Sequence, residues 1–511
     1  MKQIKRKRSK FFLFFLFLQI LCILLLLTGM LSFFAARWYI SVYGNIGFDS
    51  ILYTLLSDLN GVESDLIANF IKAALIPALL LTISVGFILF LKTKRKLVLS
   101  IKQLRIRLYP FPKGFSVICS LALTVALTLS AAKKVDLINF IKYMTQQSTI
   151  YQDYYADPET TTITFPEQKQ NLIYIYLESM ETTFLPTELK GGNDVNPIPE
   201  LYQLAQENVN FSFHESVGGF SALWGSTWTI GALVSQSSGI PLKTPLDVDA
   251  NNYGADGFLP GVSSLSNILH DNGYYQAVMV GSDANFGGRK PYYLNHGTDV
   301  VYDLYTARSE GIIPEDYYVW WGFEDAKLFD YAKIKLTEMA NQEQPFAFTM
   351  LTVDTHHVAG YVCEYCETAY PEQYENVLAC SSRQVSEFVE WMKQQSFYEN
   401  TTIIICGDHP TMDKEYISRN IPDDYQRKVY NCFINAKAQT DNTKNREFCS
   451  LDMFPTTLAA MGCTINGDRL GLGTNLFSST PTLCEELGMD YLNEELAKNS
   501  DYYTQKFFFE S

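Results

Sequence analysis

Hydrophobic residues follow two different patterns along the chain. In the first 132 residues they form long runs, which predict membrane-spanning helices at 11–35, 71–91 and, in a shorter third run, 115–132. The first run follows six basic residues, but it is longer than the apolar part of a signal peptide and has no convincing small-residue cleavage site. We therefore expect residues 1–132 to form a retained transmembrane anchor of about three helices.

Beyond residue 170 the pattern changes to short apolar runs that alternate with polar, helix-compatible stretches. Such alternation is typical of an α/β domain with a mainly parallel sheet flanked by helices. We expect a juxtamembrane connector at 133–168, this domain at 169–485 and a helical tail at 486–511. The predicted strands are 172–177, 275–280, 346–353, 402–406 and 429–435, and the predicted helices include 263–272 and 382–395.

Charge is segregated along the chain in the same way. Residues 1–114 carry 16 Lys and Arg against four Asp and Glu, whereas the remainder carries 24 against 51, so the net charges are +12 and −27. The basic residues lie at the N-terminus and in the loop between the second and third apolar runs, which predicts that both are cytoplasmic. Three crossings of the cell membrane then place everything after about residue 133 outside. Nucleic-acid binding by the basic loop is disfavoured because apolar spans flank it.

The segment at 45–59, between the first two apolar runs, has apolar residues at mixed spacing. Two interpretations fit this pattern. The segment lies along the outer face of the membrane, or it is an ordinary exposed loop. The sequence does not decide between them.

Two of the predicted strands are followed by residues that bind metal ions in proteins. The strand at 402–406 leads into Asp408 and His409, and the strand at 172–177 leads into Glu178. Because the carboxyl ends of parallel strands meet at one edge of a sheet, we expect these side chains to converge there. Each residue alone is more often a turn, capping or surface residue. Two carboxylates and an imidazole together indicate a metal site.

A third stretch supplies hydroxyl groups. Small and hydroxylated residues at 225–229 precede an apolar, helix-compatible run. A hydroxyl at a helix N-terminus lies where free N–H groups and the helix dipole favour an anion. This position suits a nucleophile that attacks a phosphate.

Five short motifs fall between residues 170 and 475. They are Tyr-Leu-Glu-Ser-Met at 176–180, Gly-Ser-Thr-Trp-Thr-Ile-Gly at 225–231 with Ser-Gly-Ile-Pro at 238–241, Leu-Thr-Val-Asp-Thr-His-His at 351–357, Cys-Gly-Asp-His-Pro at 406–410 and Leu-Asp-Met-Phe-Pro-Thr-Thr at 451–457. In order and spacing they resemble the lipoteichoic acid synthase and phosphoglycerol transferase family, membrane-anchored relatives of sulfatases and alkaline phosphatases. The set is specific, although no single motif is. The resemblance implies an alkaline phosphatase/sulfatase-like fold, and segments 239–242 and 354–357 resemble most the branch that decorates glycans with phosphoglycerol.

The resemblance implies that Glu178, Thr229, Asp408 and His409 bind one divalent metal ion, with Thr229 also the nucleophile. Coordination to a cation lowers the pKa of a threonine hydroxyl and orients it for attack. Thr227 is chemically equivalent to Thr229, and a simple helix N-cap is the structural alternative. The family implies Mn²⁺, which suits this oxygen-rich set, with Mg²⁺ and Zn²⁺ as alternatives.

The resemblance also assigns residues to the substrate. Arg289 matches an arginine that contacts phosphate, for which a guanidinium fork is well shaped. His356 and His357 are both expected to bind substrate. The order of neighbouring residues favours His356 over His357 as the match to a histidine that contacts phosphoglycerol or acts as acid to the leaving group; a surface histidine pair is the alternative. Asp283 is expected to contact glycerol. The synthases carry tryptophan where Gly287 stands, which makes contacts beyond Arg289 different here.

These assignments predict a membrane-anchored transferase that moves phosphoglycerol from phosphatidylglycerol in the bilayer to an exported glycan or a teichoic-acid-type polymer. The Cys-x-Pro-x-Arg or Ser-x-Pro-x-Arg pattern of sulfatases is absent from the site, which disfavours sulfate ester hydrolysis. The alternatives are a phosphoethanolamine transferase or metal-dependent phosphodiesterase of the same fold, or a surface-binding module without catalysis.

Ten cysteines are present, and eight of them lie beyond residue 360. In an exported domain an even number permits disulfides, although sequence does not give their pairing. Cys363 and Cys366 have the spacing of zinc ligands, but no second pair has matching spacing. We therefore expect a disulfide, with Cys380 as a candidate partner, rather than a zinc site.

Overall fold

A computed structural model describes residues 2–43, 48–56, 64–91, 97–101, 104–109, 111–244 and 257–509. The chain forms two compact units. The first consists of Met1–Asn45 and Glu63–Asn139, and the second of Ile46–Val62 and Phe140–Ser511.

The first unit contains three helices that are long and apolar enough to cross a membrane, within Leu13–Val42, Ile67–Phe90 and Lys113–Lys134. These match the three predicted runs, and the first two begin or end several residues away from the prediction. In the third, serine hydroxyls bind backbone of neighbouring helices: Ser120 Oγ donates to Cys22 O at 3.2 Å and Ser116 Oγ donates to Leu89 O at 2.6 Å. The helical segments are Lys2–Tyr43, Ser64–Phe70, Ile71–Leu75, Ile76–Phe90 and Lys113–Lys134, and Leu97–Ile101 pairs with Leu104–Tyr109 as an antiparallel hairpin.

The second unit is built on a seven-stranded sheet, in the order β2-β7-β6-β1-β5-β3-β4. Strands β6, β1, β5, β3 and β4 are parallel, and β7 runs antiparallel to both β6 and β2. The predicted mainly parallel sheet is therefore confirmed. The strands are β1 Asn171–Leu177, β2 Gly219–Phe220, β3 Tyr275–Val280, β4 Val300–Tyr302, β5 Phe346–Leu351, β6 Thr401–Gly407 and β7 Val429–Ile434.

Helices cover both faces of this sheet. Residues of β1 alternate between the faces: Tyr174 and Tyr176 belong to one buried cluster, whereas Ile173 and Ile175 belong to the other. The first face carries α2, α3 and α6, and the second carries α1, α4 and α5. These helices are α1 Pro199–Glu207, α2 Thr229–Ser238, α3 Leu265–Asp271, α4 Asp325–Ala340, α5 Gln373–Lys393 and α6 Met453–Ala460.

Shorter elements complete the second unit. The helical segments are Phe48–Leu56, Ile150–Tyr154, Thr182–Phe184, Thr187–Leu189, Phe286–Gly288, Arg289–Asn295, Leu304–Ser309, Tyr398–Asn400, Lys414–Asn420, Ser450–Asp452, Leu483–Leu487, Met489–Ala497, Asp501–Tyr503 and Thr504–Phe509, and Leu137–Met144 lies at the boundary of the two units. Ile163–Thr164 pairs with Thr464–Ile465, and Arg469–Leu470 pairs with Gly473–Thr474.

The connector and tail predicted at 133–168 and 486–511 are not separate modules. The second compact unit, which also contains Ile46–Val62, includes Phe140–Ser511 and therefore most of the connector and the whole tail. The Tyr151 ring lies 5.4 Å from that of Tyr503 and 5.9 Å from that of Phe507, and all three side chains are almost fully buried. Packing of these aromatic rings makes both the connector and the tail part of the core.

Candidate metal centre and active site

Four side chains meet at the carboxyl ends of β1 and β6. The parallel register pairs Leu177 with Gly407, so Glu178 and Asp408, which come next, leave adjacent strands side by side. His409 Nε2 lies 3.6 Å from Glu178 Oε1 and 3.3 Å from Asp408 Oδ2. Thr229 Oγ1 lies 3.3 Å from His409 Nε2 and 3.5 Å from Glu178 Oε2. The predicted convergence is present in the structure.

One carboxylate oxygen of Asp408 accepts hydrogen bonds from the protein, and the other does not. Oδ1 accepts hydrogen bonds from the backbone N–H groups of Ser179, at 2.8 Å, and His409, at 2.7 Å. Oδ2 is buried and has no hydrogen-bond partner among the described residues. Burial, with the nearby charge of Glu178, raises the pKa of Asp408 well above its ordinary value. A cation would neutralise this buried pair of carboxylates, so the donor set fits a divalent metal ion.

Hydrogen bonds also orient the two neighbouring candidate ligands, His409 and Glu178. His409 Nδ1 lies 2.9 Å from Pro410 O, which places the proton on Nδ1 and leaves the Nε2 lone pair for a metal. Ser179 Oγ donates to Glu178 Oε1 at 2.8 Å. Burial raises the pKa of Glu178, but the imidazoles of His356 and His409 outweigh it, and the pKa lies below its ordinary value. Glu178 is therefore held as a carboxylate.

Thr229 is the first residue of α2, with Trp228 at the N-cap. Its hydroxyl thus lies at a helix N-terminus, as predicted, and within the carboxylate and imidazole cluster. No hydrogen bond joins Thr227 to that cluster in the described part of the chain. Of the two threonines, only Thr229 is positioned to act with Glu178 and His409.

Gln236, which sequence reasoning missed, fixes the end of β6. Its Nε2 donates to Gly407 O at 3.1 Å and to Asp408 O at 3.0 Å, and its Oε1 accepts from Tyr174 OH at 3.0 Å. This buried amide holds α2, β1 and β6 together below the ligands. A glutamine inside an apolar helix was the available signal, because buried amides must be hydrogen-bonded.

His356 lies over the same edge of the sheet, after β5. Its Nδ1 is 2.8 Å from His357 O, so Nδ1 carries the proton and Nε2 is an acceptor. Burial lowers the pKa of His356, which favours the neutral imidazole. The His357 ring stacks on it at 4.4 Å, and the Trp321 ring lies 4.8 Å away. Trp321 was not predicted, since no local pattern separates it from a core tryptophan.

Arg289 is buried, and the turn that precedes it determines its orientation. Its Nη2 donates to Ser282 Oγ at 3.1 Å and Asp283 O at 2.7 Å, and its Nε donates to Phe286 O at 3.0 Å. Among the described residues, Nη1 has no protein acceptor. Burial lowers the pKa of Arg289, and the charges of Glu178 and Asp283 act against this lowering, so both carboxylates are near enough to influence the guanidinium. It can offer Nη1 to an anion.

The Asp283 carboxylate is engaged in the same turn. Its Oδ1 accepts from Asn285 N at 2.9 Å and Asn285 Nδ2 at 3.0 Å, and Tyr305 OH approaches Oδ2 at 3.4 Å. The two bonds from Asn285 stabilise the turn that presents Arg289. The expected glycerol contact of Asp283 stays a prediction.

Tyr53 reaches the Arg289 turn from the segment between the first two apolar runs. Phe48–Leu56 is a helix, rather than the exposed loop considered from sequence. The Tyr53 side chain is 3% exposed, its ring lies 6.2 Å from that of Trp228, and its hydroxyl donates to Gly287 O at 2.8 Å. Gly287 and Gly288 both have positive φ, and a Cβ on Gly288 would lie 2.6 Å from Phe258. The turn therefore requires glycine, and Tyr53 supports it.

The sequence profile of the family described as Sulfatase matches residues 170–463. Phosphoglycerol transferase I of Xanthomonas campestris pv. campestris (strain B100) is 33% identical over 259 residues, which are 49% of this chain and 35% of that protein. Phosphoglycerol transferase I of Escherichia coli (strain 55989 / EAEC) is 28% identical over 372 residues, which are 71% of this chain and 45% of that protein. The chain spans about a third to a half of the length of these relatives.

Among solved structures, the lipoteichoic acid synthase LtaP from Listeria monocytogenes matches with a TM-score of 0.48 and 20% identity, over 62% of this chain and 79% of that one. The profile match covers more than half of the 511 residues and includes every strand of the seven-stranded sheet. It confirms the predicted family and fold class. The chain belongs to the sulfatase family.

Proposed function

We propose that this protein transfers phosphoglycerol from phosphatidylglycerol to an exported glycan or teichoic-acid-type polymer, through a covalent intermediate on Thr229. The observation that carries the proposal is the position of the Thr229 hydroxyl, 3.3 Å from His409 Nε2 and 3.5 Å from Glu178 Oε2 at a helix N-terminus. The phosphoglycerol transferases at 33% and 28% identity support the choice of transferred group.

Glu178, Thr229, Asp408 and His409 would hold a divalent ion, for which we propose Mn²⁺. When bound, this ion lowers the pKa of a coordinated hydroxyl and neutralises charge on the transferred phosphate. In the first half-reaction Thr229 Oγ gives its proton to solvent and bonds to phosphorus as the bond from phosphorus to the diacylglycerol oxygen breaks. That oxygen takes a proton from solvent, and diacylglycerol leaves. Arg289 Nη1 holds a phosphate oxygen and orients the group for in-line attack.

The second half-reaction returns Thr229 to its starting state. His356 Nε2 carries no proton in the free protein, so it can accept one from the incoming hydroxyl of the acceptor. The acceptor oxygen bonds to phosphorus as the bond to Thr229 Oγ breaks, and the proton that His356 accepted passes to Thr229 Oγ, so both residues return to their starting state. The hydrogen bond to His357 O leaves His356 Nε2 free to act as the base in this step. That His356 contacts phosphoglycerol or acts as acid to the leaving group, as the family resemblance implied, stays a prediction.

The proposed location is the cell membrane, with three crossings and the catalytic unit outside. The three apolar helices and the basic residues on one side of them support this topology. It brings the catalytic unit to a donor that is itself a membrane lipid.

The donor is tested with purified full-length protein in detergent and radiolabelled lipids. Glycerol-labelled phosphatidylglycerol should release diacylglycerol and leave a phosphoglycerol adduct on the peptide that contains Thr229, identified by mass spectrometry. Labelled phosphatidylethanolamine should leave no adduct. An adduct from phosphatidylethanolamine alone would replace the proposal with phosphoethanolamine transfer. Lipid turnover without any adduct would favour a phosphodiesterase.

Arg289→Lys should raise KM for phosphatidylglycerol by about tenfold or more, because lysine has no second nitrogen to bind phosphate while the first holds the turn. Steady-state release of diacylglycerol at varied lipid concentration measures this effect. Arg419→Lys makes the same change at an exposed arginine that pairs with Glu372 and Glu415, and it should leave KM unchanged. An equal KM for both variants would contradict the phosphate contact.

Tyr53→Phe removes the hydroxyl that supports the Arg289 turn and keeps the ring in place. A lost neutral hydrogen bond corresponds to about a two- to tenfold effect, which should appear as a higher KM with little change in kcat. Tyr305→Phe is the matched control, because its hydroxyl makes only a long contact with Asp283 at 3.4 Å. A fall in kcat alone in the Tyr53 variant would exclude a role in donor binding.

A further inference from the structure

Three cysteines lie together in the loop that follows β5 and on the helix after it, and none of them is a residue of the proposed active site. Cys363 Sγ is 3.7 Å from Cys366 Sγ and 3.6 Å from Cys380 Sγ. All three sulfurs lie within 4.8 Å of one another. Cys363 and Cys380 are buried, and Cys366 is half-buried, so the group is reached from solvent on one side.

These distances are those expected between two thiolate sulfurs that bind the same metal ion. With zinc–sulfur bonds of about 2.3 Å and tetrahedral angles, two sulfurs on one zinc ion lie about 3.8 Å apart. A disulfide bond is about 2.05 Å long, so no two of these sulfurs are bonded in the structure. Cys363 and Cys366 also have the two-residue separation of a zinc-binding pair.

The number of thiols favours a metal site over a disulfide. Cys363 lies almost equally near to Cys366 and Cys380, so a disulfide with either one leaves the other thiol unpaired beside it. Zinc uses all three sulfurs. No fourth Cys, His, Asp or Glu ligand joins the group among the described residues, which leaves one coordination position for water. Thiolate ligands favour zinc over the hard cations that suit the carboxylate site.

We infer that Cys363, Cys366 and Cys380 bind a zinc ion with three thiolates and one solvent ligand, separate from the active-site metal. Its role follows from the elements that supply the ligands. Cys363 and Cys366 lie in the irregular segment 352–372, which also contains His356, and Cys380 lies on α5. Arg383 Nη2, also on α5, donates to Tyr365 O at 2.9 Å between the two loop cysteines. The ion would fasten the middle of this loop to a helix of the core.

The test uses full-length protein isolated from membranes without added reductant or chelator. Metal analysis should find zinc at one ion per chain, and X-ray absorption at the zinc edge should show three sulfurs at about 2.3 Å. Cys366→Ser changes the half-buried ligand and should weaken zinc binding at least about tenfold. Cys463→Ser, at a buried cysteine outside the group, should retain zinc. Glu178→Gln should also retain it, which separates this ion from the active-site metal.

Zinc removal should increase hydrogen–deuterium exchange in residues 357–372 and leave exchange in β1 and β6 unchanged. If Cys366→Ser fails to fold, the absorption spectrum of the wild-type protein still decides, since an ion without a sulfur shell overturns the inference. Peptide mapping that finds a Cys363–Cys366 or Cys363–Cys380 disulfide in the isolated protein also overturns it. So does a zinc content that is equal in Cys366→Ser and in wild type.

Discussion

Thr229→Ala is expected to reduce diacylglycerol release from phosphatidylglycerol by about 10³-fold or more, because the variant has no oxygen to form the covalent intermediate. The phosphoglycerol adduct should disappear with it. Both are measured on the purified full-length protein, by lipid extraction and by peptide mass spectrometry. The folded state should change little, since Thr229 is the first residue of α2 and its side chain makes no capping hydrogen bond to the helix.

Thr227→Ala is the matched control. It removes the same atoms two residues earlier, outside the carboxylate cluster, and should retain activity within about twofold of wild type. Thr229→Ser keeps the hydroxyl and should retain part of the activity. If Thr229→Ala still formed an adduct, the nucleophile would have to be another residue. If both alanine variants lost activity equally, the segment at 225–229 would act through its conformation rather than through one hydroxyl.

Glu178→Gln is expected to abolish the stabilisation of the protein by Mn²⁺. A ligand that binds only the folded state adds about 2.7 kcal/mol to the free energy of unfolding at a hundred times its Kd, which raises the melting temperature by several degrees. The variant removes one of two buried carboxylate charges, so its affinity for the ion should be far lower. Thermal unfolding with EDTA and with added Mn²⁺ measures the difference. In wild type, EDTA should also stop turnover, and Mn²⁺ should restore it.

Glu188→Gln makes the same chemical change at an exposed acid ten residues later and should leave the Mn²⁺ response intact. A Glu178→Gln protein that is stabilised by Mn²⁺ as strongly as wild type would contradict the assignment of Glu178 as a ligand. The same comparison with Mg²⁺ and Zn²⁺ ranks the three candidate ions.

The ends of β1 and β6 could be predicted because the information is local. Each strand is a run of apolar and β-branched residues that ends directly at a carboxylate, and parallel pairing brings such ends together. The position of Thr229 relative to Thr227 needed the structure, because both hydroxyls fit the start of a helix. Only the position of α2 beside Glu178 shows which of the two threonines lies at the site.

Other parts of the fold were not accessible from sequence. Strands β2 and β4 contain two and three residues, too few to show an alternating pattern. The prediction placed the start of α5 nine residues late, because its first turns are buried polar and aromatic residues rather than an apolar stripe. The antiparallel direction of β7 depends on how the chain connects β6 to β7, and the composition of the strand does not reveal it.

The contact of Tyr53 with Gly287 joins residues 234 positions apart. The hydrophobic pattern of residues 45–59 does not indicate which residue Tyr53 contacts. A tyrosine in such a stretch could pack on many different surfaces. Local patterns give the faces of an element, whereas the surface that it covers depends on the whole fold.

The position of the Phe48–Leu56 helix has a practical consequence for work with soluble fragments. A fragment cut just after the last apolar helix, near residue 140, contains every proposed metal ligand but lacks the Phe48–Leu56 helix. It would uncover the ring of Trp228 and free the Gly287 carbonyl to bind water. Kinetics measured on such an ectodomain would then understate the affinity of the intact enzyme for its lipid, while the metal affinity would be the same in both.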